Sequence, residues 1–292
     1  NTMTADTYQR DPCETPSLSS HIAHTLLSQS PQHAWQEHPR FGATPRDGTA
    51  ATDDGELIHA LVLGAGREIV AVDAADWRTK VAREARDAAR EAGKIPVLAA
   101  RGETLVAAAH AIRRELERRN VRLEGGHAEQ SAFWTETAEE SGAEAQCRGR
   151  LDYMIETSGS VIIYDLKTCR SAHPRACQRH IEAFGYDIQA AAYVRAVEAL
   201  LPNCIGRVHY RWLFAEIVPP FGLTVAEPTG TLRALGASRW RRAVELWTTC
   251  IASNNWPVYG DEVVAIEPLP WALSQEIEER GSADVPFGEV AA

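Results

Sequence analysis

Apolar and polar positions along the chain fall into two periods, one helical and one of strict alternation. In "TPSLSSHIAHTLLSQSPQHAWQEHPR" (15–40), Ile22, Leu26 and Leu27 make a narrow apolar stripe. Ser19 or Ser20 can cap that helix, and Ser30-Pro31 ends it. "FGATPRDGTAATDDG" (41–55) has no period and reads as a loop. "ELIHALVLGAG" (56–66) reads as a short buried helix closed by glycines. Residues 76–92 are helical and highly charged, "GKIPVL" breaks them, and 102–119 form another helix. Alternation then takes over. "HAEQSAFWTE" (127–136) reads as a strand, and "GRLDYMIETSGSVIIYDLKT" (149–168) as a hairpin around a small polar turn. A helix at 181–200, strands at 206–218 and 222–228, and a long helix at 229–253 follow, with an irregular stretch at 256–273. No internal repeat is present. Helices, strands, a helix, strands and a helix in that order predict a mixed β-sheet flanked by helices, in the α/β or α+β class.

Composition narrows the setting. The 292 residues suffice for one large domain with an appendage. The expected division is a loose segment at 1–16, a domain at 17–273 and a tail at 274–292. The hydrophobic share of 45% and charged share of 24% are those of a globular protein. No apolar run approaches the roughly 20 residues that span a bilayer, and the polar start lacks a signal-peptide core. The expectation is a cytoplasmic protein with no membrane partner. Six cysteines without a CxxC pair read as reduced thiols, in a spacing that supports no iron–sulfur cluster. A net charge of −10 argues mildly against a nucleic-acid partner. Basic residues nevertheless bunch at 78–90, 113–122 and 239–242, either as solvated helix faces or as a local basic groove.

The hairpin carries the chemistry. In "SVIIYDLKT", Ile163, Asp165 and Lys167 share one face, and Ile162, Tyr164 and Leu166 the other. With Ser158-Gly159 as a two-residue loop, Thr157 faces Ser160. Counting back, Asp152 falls opposite Asp165, with Cβ atoms roughly 5 Å apart. Two carboxylates so placed repel unless a cation lies between them. Hard oxygen ligands make a seat for Mg²⁺ or Mn²⁺. Lys167 beside it can orient or deprotonate a water, or stabilise charge on a phosphate. An isolated D-x-K is usually a surface ion pair. This one sits in a strand apolar on both faces, and central strands rarely hold unpaired charge.

"GRLD", a twelve-residue gap, "DLK" and a helix with "QAAAY" resemble the PD-(D/E)xK nuclease superfamily, and within it the RecB-like and RecE-like branch with its lambda-exonuclease-type fold. "SLSSHIAHTLLSQSPQHAW", "GELIHALVL", "WRTKVAREARDAAREAGKIPVL", "AEQSAFW" and "ELWTTCIASNNWP" are similar to further segments of the phage RecE-like proteins. The likeness runs from 17 to about 273. It implies that Asp152 and Asp165 ligate metal and that Lys167 is the catalytic lysine. The first motif reads Leu-Asp where the family has Pro-Asp. His59 matches the branch's extra metal ligand. Glu129 is either a fourth acidic ligand, direct or through water, or an edge-strand charge. Gln189 and Tyr193, one helical turn apart, match the pair that faces the active site. Arg148, Arg150, Ser20 and Arg40 are candidate phosphate contacts.

The resemblance further implies an Mg²⁺-dependent deoxyribonuclease, with Mn²⁺ able to substitute. It would digest linear double-stranded DNA from the 5′ end and leave a 3′ single strand for phage recombination. Relatives form rings, so a homo-oligomer is expected, with a single-strand annealing protein as partner. An endonuclease, a single-strand-specific nuclease or a non-catalytic DNA-binding protein on the same fold are the alternatives. "LVLGAGREIVAVDA" imitates a dinucleotide-binding turn but has Ile69 where the third glycine belongs and no strand before the first.

Overall fold

The computed structural model describes residues 3–44, 49–260 and 262–280. The helices and strands follow in chain order. The first half holds α1 (Ala5–Gln9), α2 (Ser20–Ser28), α3 (Pro31–Glu37), α4 (Ala50–Leu63), β1 (Ile69–Val72), α5 (Lys80–Glu91), β2 (Ile95–Leu98) and α6 (Ala99–Arg118). Then come β3 (His127–Thr137), β4 (Glu144–Thr157), β5 (Ser160–Cys169), α7 (Pro174–Phe184) and α8 (Tyr186–Leu200). The last are β6 (Val208–Glu216), β7 (Leu223–Ala226), α9 (Gly230–Ser253) and α10 (Pro270–Arg280). A first compact unit ends at Val258 and a second begins at Tyr259, fifteen residues before the tail expected from 274.

The main sheet has the order β3-β4-β5-β6-β7. β5 pairs parallel with β6, and the other neighbours are antiparallel, so the sheet is mixed. β5 is the middle strand, which explains why both of its faces are apolar. On one face Ile163, Tyr210, Trp212 and Phe214 pack with Ile22, Ile188, Tyr193, Trp240 and Trp247, from α2, α8 and α9. On the other, Tyr164, Leu166 and Leu213 pack with Leu57, Ile58, Leu105 and Ile112, from α4 and α6. Ile58, Leu105 and Ile112 are fully buried, and each such side chain contributes about 2 kcal/mol. Asp165 and Lys167 lie on the α8 face by alternation with Ile163.

The hairpin register agrees with the sequence reading as far as it goes. Thr157 pairs Ser160, and the ladder continues to Tyr153 and Tyr164. Gly159 takes φ +84°, a left-handed backbone that glycine adopts without strain. One step later the ladder stops. Asp152 and Asp165 are not a paired couple, because β4 leaves β5 at Asp152. The β3–β4 ladder skips the same level, with Ala128 on Tyr153 and Gln130 on Leu151 but no pair between Glu129 and Asp152. Glu129 sits at φ +53°. Leu151 and Tyr153, two residues apart, pack into the cores on opposite faces of the sheet. Both strands switch faces at this level, and the β4–β5 ladder ends there.

Several predicted boundaries move. Residues 15–40 hold two helices: Ser19 caps α2, and Ser30 caps α3 with Pro31 in its first turn. The 41–55 loop is shorter than predicted, because Thr49 caps α4 at Ala50; residues 45–48 lie outside the described residues. β1 and β2 pair in parallel where no strand was expected. At four residues each they are too short for alternation to register. The 181–200 helix is broken by Gly185, at φ +65°, where a Cβ would fall 2.4 Å from Cδ2 of His24. The segment expected to be loose before Ser17 instead carries α1 and the fully engaged Asp11. The irregular stretch after Trp256 holds α10.

Candidate metal centre

The candidate site lies where the β4–β5 ladder ends, with residues from both faces of the sheet. From the α4 side comes His59. Its Nε2 donates to the backbone carbonyl of Leu166 at 2.8 Å, since a carbonyl only accepts. That fixes the tautomer and turns Nδ1 towards Asp152, 3.7 Å from Oδ2. The same Oδ2 accepts the backbone N–H of Leu166 at 2.8 Å. A lone pair on Nδ1 thus faces a carboxylate oxygen. Glu129 completes a half-buried trio with His59 and Asp152, whose ligand atoms lie within 4.8 Å of one another. Two carboxylates and one imidazole, with the imidazole's outer nitrogen anchored on a carbonyl, fit a divalent cation of the Mg²⁺ or Mn²⁺ type. Burial pushes the Asp152 carboxyl up to about 6, and Asp165 adds to the rise against the pull of His59, Lys167 and the Leu166 N–H.

Asp165 is fully buried on β5, with the Lys167 ammonium 2.7 Å from Oδ2. Neither carboxylate oxygen receives a well-aligned hydrogen bond. A buried carboxylate held chiefly by one ammonium has oxygen lone pairs to offer a further cation. Burial works against the Lys167 charge, but Asp165 and Asp152 outweigh it and raise its pKa. The lysine also lies over the ring of Tyr186, 4.5 Å from the centroid.

On α8, Gln189 donates to the Tyr193 hydroxyl at 3.2 Å, and its own Oε1 is buried without a partner. Burial drives the Tyr193 hydroxyl well above its ordinary pKa, and the nearby Tyr8 and Asp165 add to the rise. Gly149 lets this ring approach β4: a Cβ there would stand 2.8 Å from Tyr193 Cε1. The structure therefore groups the ligand atoms of His59, Glu129 and Asp152 but not those of Asp165. Asp165 and Lys167 form a pair whose charges act on Asp152, with Gln189 and Tyr193 near Asp165. Tyr210 escaped the sequence reading. Its buried hydroxyl lies beside Asp165 without a well-aligned hydrogen bond, and burial followed by the Asp165 charge raises its pKa. Its alternation with Trp212 and Phe214 on β6 made it look like core.

The expected phosphate contacts fare differently. Arg148 is 5% exposed and is held by the Ser17 carbonyl and hydroxyl and by Asp11, which makes it a structural ion pair instead. Arg150 is half-buried and donates to Glu129 at 2.6 Å, to the Met3 carbonyl and to Ser131. Arg40 donates to the carbonyls of Cys13 and Glu14. Ser20 opens α2, but the cap is Ser19.

With this geometry in place, the comparisons bear on identity. Residues 68–215, just over half of the chain, match the PDDEXK-like domain of unknown function DUF3799. The chain belongs to this family. The DUF3799 match takes in Glu129, Asp152, Asp165, Lys167, Gln189 and Tyr193 and leaves His59 outside. A protein from Eubacterium rectale, provisionally described as an exonuclease, has a similar structure. It is 13% identical with a TM-score of 0.55, covering 95% of this chain and 100% of that one, a likeness of fold. A phage-related exonuclease from Haemophilus somnus 129PT is 12% identical with a TM-score of 0.32, too low to carry an argument, over 82% of this chain and 97% of its own. No curated protein matches the chain.

Proposed function

We propose that this PDDEXK-like protein is a metal-dependent deoxyribonuclease, acting as an exonuclease on linear double-stranded DNA from the 5′ end. The observation that supports it best is the pairing of lone pairs. His59 Nδ1 and Asp152 Oδ2 face each other at 3.7 Å, next to a buried Asp165 whose oxygens lack aligned donors. A divalent cation bound there, Mg²⁺ or Mn²⁺, supplies Lewis acidity towards a phosphodiester and a more acidic water.

The chain's own residues do the rest. His59 is oriented by the Leu166 carbonyl, and Asp152 by the Leu166 N–H, so a single residue of β5 sets both ligands. Lys167 is held charged by Asp165 at 2.7 Å and by the Asp152 charge, which suits it to donate to a phosphate oxygen or to the attacking water. Gln189 and Tyr193 set the α8 wall against which the substrate phosphate rests. Arg150 neutralises Glu129 and lies next to the first aspartate, in reach of backbone phosphate. Ser20 and Arg40 are secondary phosphate contacts in this reading.

A ring of copies with a basic lining would reconcile a net charge of −10 with a DNA substrate. A single-strand annealing partner, a role in phage-type recombination and a cytoplasmic setting belong to the same reading. No helix of the described residues is long and apolar enough to cross a membrane.

The test is digestion of linear duplex labelled at the 5′ or 3′ end, in Mg²⁺ and in Mn²⁺, beside a closed circle and the Asp165→Ala variant. Early release of the 5′ label as mononucleotides is expected, with the circle intact and the variant inert. Cutting of the circle would make it an endonuclease. Folded protein that cleaves nothing in either metal would be a DNA-binding protein.

A further inference from the structure

Lys167 has two neighbours that can hold an ammonium. One is Asp165, 2.7 Å away. The other is the face of Tyr186, with Nζ 4.5 Å from the ring centroid. A cation this close to an aromatic face, largely removed from water, is held by the ring quadrupole. The ring is itself fixed. Phe184 lies 5.6 Å from it at an interplanar angle of 31°, and Phe214 6.3 Å away at 42°. Phe214 is fully buried and is the β6 partner of Lys167 in the sheet register. Gly185 starts α8 at Tyr186, so the turn that breaks the helix also delivers the ring to the lysine.

We propose that Tyr186 is a positioning residue whose ring face is the second seat of the Lys167 ammonium. Its functional consequence rests on the nuclease reading above. Asp165 has two tasks that conflict: it pairs with Lys167, and it is a ligand for a divalent cation. When its charge is shared with that cation, its hold on the ammonium weakens and like charges repel. The Tyr186 face carries no net charge to be shared, so it keeps its hold and leaves Lys167 beside the metal site of that reading. The ring does this work, not the hydroxyl.

The chain has only three lysines, Lys80, Lys94 and Lys167, so lysine labelled with ¹³C at Cε gives a spectrum of three signals. Lys167→Arg identifies the signal of interest. In metal-free wild-type protein, the Lys167 Cε protons should lie upfield of those of Lys80 and Lys94 through the ring current. Tyr186→Phe should retain that shift and Tyr186→Leu should abolish it. In cleavage assays, kcat should fall about tenfold in Tyr186→Leu with KM little changed, while Tyr186→Phe stays within about twofold of wild type. A Lys167 signal without an upfield shift in wild-type protein overturns the proposal, even if Tyr186→Leu fails to fold. So does a Tyr186→Phe variant as impaired as Tyr186→Leu, which would place the function in the hydroxyl. If wild-type protein cleaves no DNA in either metal, the nuclease reading fails, and the lysine spectrum still decides whether Tyr186 seats Lys167.

Discussion

Two buried carboxylate sites in this molecule, a few strand residues apart, are built in opposite ways. Around Asp11 both carboxylate oxygens have donors. Its oxygens take the Ser17 N–H at 2.9 Å and the Ser17 hydroxyl at 2.7 Å, with Arg148 at 3.2 Å and His38 at 3.4 Å. His38 is in turn fixed, because its Nδ1 accepts from the Arg40 N–H while Nε2 donates to the Ser17 carbonyl. Burial alone would raise the Asp11 carboxyl, but His38, Arg148 and Ser17 outweigh it and hold it well below the usual carboxylate range. At the β4–β5 split the signs reverse. Asp152 is pushed up to about 6, chiefly by burial, and Asp165 lacks aligned donors. At the first site both carboxylate oxygens are served by the fold, and at the second Asp165 has the Lys167 ammonium but no well-aligned hydrogen bond, a need that a divalent cation would meet in the proposed reading. Buried charge does not by itself mark a site, and neither does one unpartnered atom, since the Asp187 carboxylate and the Arg148 guanidinium each have one; what distinguishes the β4–β5 split is that His59, Glu129 and Asp152 converge there.

The largest effect that sharpens this contrast is on activity. Asp165→Ala should lower cleavage by about a thousandfold or more while the protein stays folded, as measured by single-turnover digestion of linear duplex. Next comes the structural site. Asp11→Ala strands the buried Arg148 and should cost about 3–5 kcal/mol in chemical denaturation. Smaller, and opposite in sign, is Asp152→Asn in metal-free protein. A carboxyl raised from 3.8 to about 6 destabilises the fold at neutral pH, by up to about 3 kcal/mol, at about 1.4 kcal/mol per pKa unit. The amide keeps an acceptor for the Leu166 N–H, so the variant should be more stable than wild type.

The smallest effect is the pH course in chelator. The Asp152 penalty is fully present above pH 6 and is relieved as pH falls from 6 towards 4. Asp11, with its pKa depressed, stabilises above its unfolded value of 3.8 and loses that contribution only as pH falls through the lower folded value. Thermal stability should hold or rise between pH 7 and 5 and then drop below about 4. In Asp11→Ala the acid drop should be shallower.

The same contrast explains what the sequence could disclose. Asp152, Asp165 and Lys167 were legible because charge in an apolar alternating strand has no structural use, and the register counted from Ser158-Gly159 holds to Tyr153. The break at Asp152 was not legible. It arises from Glu129 at φ +53° on a neighbouring strand, and neither residue type announces a face switch. His59 could be named only by resemblance, since a histidine in an apolar helix is ordinarily core. Arg148 was misread because its partners, Asp11 and Ser17, lie over 130 residues away in the chain. Nothing local distinguishes an arginine spent on an N-terminal segment from one offered to phosphate. Tyr210 sat silently among apolar β6 residues.

The most direct test is thermal unfolding of wild-type protein and Asp152→Asn, each in chelator and in excess Mn²⁺. If the candidate site holds a divalent cation, wild-type protein is stabilised by Mn²⁺, by about 2.7 kcal/mol at a hundred times its Kd. Asp152→Asn should start higher in chelator and respond little. A wild-type protein indifferent to Mn²⁺, or an Asp152→Asn variant less stable than wild type without metal, would contradict the account.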